Sequence, residues 1–224
     1  MKIGNLVRSV NRGVLTLLAF GGMLLYLSAA DFVVSFKPAV SFEELLEEDK
    51  ELKPGSHVKG NVVYALGYFA SESTYTKRSD GSRSGSRKSG NYYMIPAATG
   101  CFALKCRQSD VEALDGLSEE TFDYMMSGTE PSTEIFIEGK AEYLEGKLAG
   151  YYKEYLADLG YTEDEAEQMG EPLVVRYVNF MAVRIGFVLG LVLVLLGIFL
   201  LRAGYLREER GSGLRKAEDL PGSP

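Results

Sequence analysis

Two long apolar runs, one near each end of the chain, constrain the fold more than any other feature of the sequence. Residues 13–30 contain no charged side chain in 18 positions, and residues 178–201 contain only one, Arg184, in 24 positions. A helix of 18 residues is about 27 Å long, which nearly spans the hydrocarbon core of a bilayer. The second run is longer than a domain of this size needs in its core. The sequence therefore predicts two transmembrane helices, over residues 13–34 and 178–201.

The charges are distributed unevenly along the 224 residues. The net charge is −7, but residues 1–30 carry +3, residues 31–177 carry −12 and residues 178–224 carry +2. A nucleic-acid-binding protein needs a dense basic face, so this distribution argues against a nucleic-acid partner. An acidic middle between two basic, apolar ends is typical of a membrane protein with one projecting domain.

Cations flank the two predicted spans on the sides away from the acidic middle: Lys2, Arg8, Arg12, Arg202, Arg207 and Arg210. Because the cytoplasmic flanks of membrane helices carry an excess of Lys and Arg, both ends of the chain are predicted to be cytoplasmic. Residues 1–12 then form a cytoplasmic N-terminus, and residues 202–224 form a disordered cytoplasmic tail. Residues 35–177 form an extracytoplasmic domain.

The N-terminal run has an alternative interpretation as a cleavable signal peptide. A basic start, an apolar stretch over residues 14–27 and the small residues Ser28, Ala29 and Ala30 before Asp31 fit that pattern. We favour an uncleaved anchor with two spans, because the uncharged run is long for a signal peptide and apolar residues continue beyond Asp31. The alternative leaves a single span, and the domain lies outside in both cases.

Three residues of the second run have special roles in a membrane helix. Arg184 lies near its outer end, where a long side chain reaches the headgroups, so we interpret it as a membrane-interface anchor. Gly186 and Gly190 have the spacing that lets two helices approach closely. Together with Gly21 and Gly22 in the first run, they predict a contact between the two spans or a homodimer.

The middle of the chain alternates between strand and helix patterns. Residues 57–70 give the strongest strand signal, and residues 92–96 and 101–106 are predicted to complete a three-strand meander. Capping boxes at Ser41, Ser109 and Thr162 predict the starts of helices, and another strand is predicted over residues 133–141. A helix over residues 144–159 is expected to turn Tyr151 toward the core. The predicted fold is α+β, with a small curled antiparallel sheet or partial barrel and flanking helices, inserted between the two spans.

A basic, serine-rich segment interrupts this acidic domain. Residues 71–90 contain seven serines and almost no apolar side chain, which predicts a flexible loop. Its candidate contact residues are Lys77, Arg78, Arg83, Arg87 and Lys88. The segment is either a solvated hairpin connection or a basic finger that contacts anionic lipid or envelope components.

No catalytic, cofactor or metal site is predicted. His57 is the only histidine, and no phosphate-binding loop or calcium loop is present in the sequence. Cys101 and Cys106 are expected to be free thiols, since residues five apart on one strand are too far apart for a disulfide. The alternative to a non-enzymatic protein is a membrane-tethered hydrolase or transferase that uses carboxylates and His57.

Three sequence segments resemble a known family: VKGNVVYALGYFASE at residues 58–72, YYMIP at residues 92–96 and GYYKEYL at residues 150–156. They are similar to two-pass membrane proteins of Gram-positive bacteria, a family without an assigned function. The resemblance implies the two-span architecture and no catalytic residue. We expect the chain to sit in the lipid bilayer and to present its outer domain to a membrane or envelope protein.

Overall fold

The computed structural model describes residues 12–47, 50–77, 79, 81–82 and 84–218. The chain divides into two compact units. One contains the residues up to Ser35 and those from Phe180 onward, and the other contains Phe36–Asn179. The predicted cytoplasmic N-terminus, apart from Arg12, and residues 219–224 lie outside the described residues.

The first unit is an antiparallel pair of helices, α1 (Arg12–Val34) and α6 (Phe180–Glu218). Both are long and apolar enough to cross a membrane, judged by length and composition over Arg12–Val34 and Phe180–Arg207. The sequence predicted a disordered tail from residue 202, but α6 continues without a break to Glu218. No proline lies between Leu201 and Glu218, so the helical hydrogen bonds continue past the apolar run.

The second unit contains a seven-stranded mixed sheet with the order β1-β2-β6-β7-β5-β4-β3. The strands are β1 (Ala39–Val40), β2 (His57–Asn61), β3 (Tyr68–Thr74), β4 (Arg87–Ala97), β5 (Gly100–Lys105), β6 (Phe136–Tyr143) and β7 (Leu173–Tyr177). The pairs β1-β2 and β5-β7 are parallel, and the other pairs are antiparallel. The α+β class is confirmed. The predicted curled antiparallel sheet or partial barrel is wrong, because the sheet is mixed and open, with β1 and β3 as its two edges.

The sheet is open because the predicted strand over residues 57–70 is two strands. β2 pairs with β6, whereas β3 pairs with β4 on the other side of the sheet. Between them, Val62 donates its N–H to the carbonyl of Ile135 at 2.9 Å, and Leu66 donates to Met94 at 2.8 Å. Gly67 has φ +106°, a conformation that favours glycine, and allows the turn into β3. The meander therefore contains β3, β4 and β5, and β7 joins the two halves.

Helices cover both faces of the sheet: α2 (Phe42–Glu47), α3 (Val111–Ser127), α4 (Lys147–Asp158) and α5 (Glu163–Gln168). Adjacent residues of a strand point to opposite faces, and Leu104 and Ala103 of β5 accordingly belong to two separate apolar clusters. The Leu104 cluster includes residues of α2 and α3, and the Ala103 cluster includes residues of α4 and α5.

Two of the three predicted capping boxes are confirmed. Ser41 and Glu44 exchange hydrogen bonds of 2.8 and 3.0 Å at the start of α2, and Thr162 forms the box of α5 with Glu165. The box predicted at Ser109 is wrong, because a 3₁₀ turn over Gln108–Asp110 precedes α3. In α4 the buried residues are Tyr152 and Leu156, and Tyr151 is exposed, contrary to the predicted core face.

Candidate functional site

The predicted basic loop is a paired hairpin at both of its ends. Thr74 lies opposite Arg87 and Ser73 opposite Lys88, so β3 and β4 extend into the segment predicted to be a loop. Arg87 and Lys88 are both exposed but are adjacent on a strand, and they therefore point to opposite faces. Lys77 is exposed, whereas Arg78 and Arg83 lie outside the described residues. The alternation along β4 separates Arg87 from Lys88 and does not bring them together on one surface.

The helix pair brings Gly190 into contact with α1. A Cβ atom on Gly190 would lie 3.0 Å from the carbonyl oxygen of Gly21, and one on Gly197 would lie 2.7 Å from Leu18. A Cβ atom added to Gly186 or to Gly22 would have no other atom within 4 Å. The predicted contact between the helices therefore uses Gly21 and Gly190, and the second small residue on α6 is Gly197, seven positions further, and not Gly186.

Arg184 lies at the same end of the pair as the last turn of α1. Its Nε donates to Ser35 Oγ at 3.0 Å, and its terminal nitrogen donates to the Ser35 carbonyl. Ser35 Oγ in turn donates to the carbonyl of Phe32 at 2.7 Å, and the Phe32 ring stacks on Phe187 with 3.9 Å between centroids. A cation at the C-terminal end of a helix also interacts favourably with the helix dipole. Arg184 thus binds the end of α1.

His57 is buried in the strand β2 beside a carboxylate. Its Nε2 lies 3.1 Å from Glu138 Oε1 on β6, and its Nδ1 lies 3.3 Å from the Lys37 carbonyl. Lys59 Nζ is 3.4 Å from the same Glu138 oxygen. Both ring nitrogens therefore have polar neighbours, and one of them is a carboxylate that orients the imidazole.

The two cysteines lie on opposite sides of the sheet and are both free thiols. Burial raises the pKa of each thiol above its ordinary value. Cys101 borders a cavity of about 460 Å³ at the turn between β4 and β5. The lining of this cavity includes the apolar side chains of Leu52, Phe102, Met169 and Leu173. The Tyr152 hydroxyl donates to the Cys101 carbonyl at 2.5 Å, so its hydrogen is committed to the backbone. The cavity has the size of a small-molecule pocket.

Among the described residues, no group of three or more His, Cys, Asp or Glu side chains could hold a metal ion. Helix α3 is strongly acidic. It carries five acids and no base along 17 residues, and large apolar side chains are exposed near its end. No site was predicted in this helix from the sequence. The sequence nevertheless contains a signal for this surface. Residues at spacings of four, three and four share one side of a helix, and this spacing holds for Asp115, Glu119, Phe122 and Met126.

One family of proteins matches the chain. Its description is a domain of unknown function, DUF8577, and the match covers residues 4–203. The chain belongs to this family. The DUF8577 match takes in α1, the whole α+β unit and α6 as far as residue 203, so both apolar helices are part of the family's sequence pattern. No curated protein and no solved structure matched the chain.

Proposed function

We propose that this DUF8577 protein is a two-pass membrane protein that presents Phe36–Asn179 on the outer face of the membrane, where this unit binds a protein or another envelope component. Helix α1 and the segment Phe180–Arg207 cross the bilayer as a hairpin. Both ends of the chain are cytoplasmic.

The observation that supports this proposal is the outward surface of the helix pair. Leu15, Phe20 and Leu27 of α1 and Leu195 and Phe199 of α6 are each at least half exposed. The helices approach most closely at Gly21, Gly190 and Gly197, and these large apolar side chains are exposed on the outside of the pair. Such a continuous apolar surface is unfavourable in water and matches the interior of a bilayer.

The charges of the helix pair lie near its ends. Arg184 binds Ser35 at one end, and Arg12, Arg202 and Arg207 lie at the other. The Lys and Arg residues outside this second end favour a cytoplasmic location for it, and hence an outer location for the unit between the helices.

The packing of α1 also bears on the signal-peptide alternative. Cleavage after Ala30 would remove Gly21 and Leu18, which fill the surfaces of Gly190 and Gly197. A helix that has a fitted partner surface on α6 favours the uncleaved, two-span form.

The topology can be tested by labelling single added cysteines in intact cells. Tyr151→Cys lies on the exposed side of α4, and Ser212→Cys lies beyond the apolar part of α6. We expect an impermeant maleimide to label residue 151 in intact cells and residue 212 only after permeabilisation. The reverse pattern, or a mature protein that begins at Asp31, would overturn the two-span proposal.

Partner binding is tested by crosslinking in intact cells from several exposed positions of the α+β unit. We expect one discrete adduct from one surface, with none from the exposed face of α4 as the matched control. Equal weak adducts from every position would contradict specific binding. A homodimer through the open positions at Gly22 and Gly186 would instead give an adduct of twice the mass of the chain.

A second candidate, a tethered hydrolase or transferase, is supported by the contact between His57 and Glu138. A carboxylate that orients a histidine is a recurring part of general acid–base sites. His57→Gln keeps a polar side chain in the buried position and removes the proton transfer. An unchanged cellular phenotype in this variant, with normal protein levels, would eliminate the enzyme.

A further inference from the structure

Helix α3 has one side in the core and an unusual stripe along the edge of that side. Leu114, Leu117 and Thr121 are buried against the sheet. Next to them, Asp115, Glu119, Phe122 and Met126 form a stripe about 16 Å long at 1.5 Å per residue, which runs from the half-buried Asp115 to the exposed Met126. Met126 is 88% exposed, which is among the highest values for any large apolar side chain in the unit, and Met125 beside it is 59% exposed.

The N-terminal half of the stripe is acidic. Glu112, Asp115 and Glu119 line a surface groove of about 630 Å³ beside Gln108 and Ser109. Glu112 and Glu119 form no ion pair within the described part of the chain. Their charge is therefore available to a ligand.

A hydrogen bond from a buried tyrosine holds the side chain of Asp115 in place. The buried Tyr93 hydroxyl donates to Asp115 Oδ1 at 2.5 Å. Burial and this carboxylate raise the pKa of Tyr93 far above its ordinary value, so the tyrosine remains a neutral donor at every physiological pH. This hydrogen bond fixes the orientation of the Asp115 side chain in the lining of the groove.

The C-terminal half of the stripe is apolar and adaptable. Phe122 is 43% exposed, and together with the two methionines it presents large flexible side chains. Exposed methionines suit binding surfaces, because the unbranched thioether repacks around different apolar partners. Asp123 adds a further acid beside them, with no base in the helix.

We propose that this side of α3 binds a cationic segment of a partner protein, one that carries Lys or Arg opposite Glu112, Asp115 and Glu119 and bulky apolar side chains opposite Phe122, Met125 and Met126. The inference rests on the proposed function and specifies the chemistry of its partner. Charge complementarity selects this occupant. An anionic membrane surface would be repelled by the acids, and a two-fold contact with a second copy would place the same acids against each other.

The test uses the full chain in phosphatidylcholine nanodiscs and the native methionines as probes. Hydrogen peroxide oxidises exposed Met126 and Met125, and mass spectrometry follows both rates. A helical peptide made only of Lys and Leu is added as the probe, and a Glu and Leu peptide with the same spacing is the control. We expect the cationic peptide to slow oxidation of Met126 roughly fivefold at four-fifths occupancy, with no effect of the acidic peptide. Met169, elsewhere in the unit, is the internal reference and keeps its rate.

Two matched sets of variants separate the charge from the apolar contact. Glu119→Gln with Asp123→Asn should weaken peptide binding about tenfold and reduce its salt dependence. Met125→Ser with Met126→Ser should weaken binding and leave the salt dependence in place. Glu154→Gln with Tyr151→Ser makes the same types of change on the exposed side of α4 and should leave binding unchanged.

Four outcomes would overturn the proposal. Equal protection by both peptides, or by neither, removes the charge selectivity. Slower oxidation of Met125 and Met126 in nanodiscs than in detergent, before any peptide is added, would show that lipid covers this side of α3. Oxidation that slows as the protein concentration rises would show that a second copy of the chain covers it. Partner crosslinks that survive the Glu119→Gln and Asp123→Asn changes place the partner elsewhere and leave the proposed function standing. If the labelling of residues 151 and 212 contradicts the two-span topology, the proposed function fails. Selective protection by the cationic peptide would still show that α3 binds a cationic segment.

Discussion

Gly21 of α1 and Gly190 of α6 lie with their backbones in contact. A Cβ atom on Gly21 would be 2.9 Å from the Gly190 carbonyl oxygen, and one on Gly190 would be 3.0 Å from the Gly21 carbonyl oxygen. Both distances are shorter than a normal Cβ contact, so neither residue tolerates a side chain without a shift of the helix backbone. Close approach of this kind gives helix pairs in a bilayer their packing energy, since apolar burial alone does not drive them together.

Gly190→Leu should therefore separate the helices, whereas Gly186→Leu should not. Overpacking a close contact costs about 1–3 kcal/mol, and Gly186 has no atom within 4 Å of an added Cβ. Unfolding of the purified full chain with increasing sodium dodecyl sulfate, followed by circular dichroism, measures the difference. Equal loss of stability in the two variants would show that the close contact does not hold the pair.

A second close approach links Gly67 and Tyr155 in the α+β unit. An added Cβ on Gly67 would lie 2.5 Å from the Tyr155 hydroxyl oxygen, and that hydroxyl donates to the Leu66 carbonyl at 2.5 Å. Gly67→Ala should destabilise the unit by more than the 1–3 kcal/mol typical of strained backbone alone, because the side chains also collide.

Tyr155→Phe should cost about 1 kcal/mol for the lost hydrogen bond. Because phenylalanine lacks the colliding oxygen, the double variant should lose less than the sum of the two single variants. Tyr151→Phe on the exposed side of α4 is the control and should leave stability unchanged. Chemical denaturation followed by tyrosine fluorescence suits this chain, which has no tryptophan. Strict additivity would contradict the contact between Gly67 and Tyr155.

The features predicted well from the sequence are those set by nearby residues. The capping boxes at Ser41 and Thr162 depend on hydrogen bonds across three residues, and both form. The alternation over residues 57–70 is local in the same way, and it correctly predicted extended chain at both ends. It contains no information about the pairing partner, so it did not show that β2 and β3 lie in different halves of the sheet.

The features that were missed depend on distant contacts or were hidden by a neighbouring signal. Strand β7, Leu173–Tyr177, lies in the middle of the sheet, but its apolar residues run almost directly into the long apolar run from Val178, which hides the strand pattern. The glycine contact was assigned to Gly186 and Gly190 because they are four apart. Helices that pack along a shared seam repeat every seven residues, which selects Gly190 and Gly197.

The two cysteines should behave as slow, unlinked thiols. Cys101 and Cys106 are free, and burial raises the pKa of both, which lowers the thiolate fraction at neutral pH. Without reductant, we expect slow reaction with Ellman's reagent in the native protein and two rapidly reacting thiols after denaturation. No reactive thiol after denaturation would demonstrate a disulfide and contradict the location of Cys101 and Cys106 on opposite sides of the sheet.

The ion pair between Glu72 of β3 and Lys105 of β5 predicts a loss of stability in acid. Lys105 Nζ lies 3.0 Å from Glu72 Oε1, and this contact, together with the Ser89 hydroxyl, lowers the pKa of Glu72 below its ordinary value of 4.5. A carboxyl whose pKa is lower in the folded protein stabilises it above the unfolded pKa, and this contribution disappears as the pH falls through the folded pKa.

Glu72→Gln should therefore be less stable than the parent protein at pH 7, and the difference should shrink toward zero as the pH falls below 4.5. Because both side chains are partly exposed, the difference at pH 7 should be at most about 1 kcal/mol, and it should decrease in high salt. Denaturant unfolding at a series of pH values measures it, with Glu154→Gln on the exposed side of α4 as the control. A difference that stays constant through acid pH would arise from packing of the glutamine and not from the lost charge.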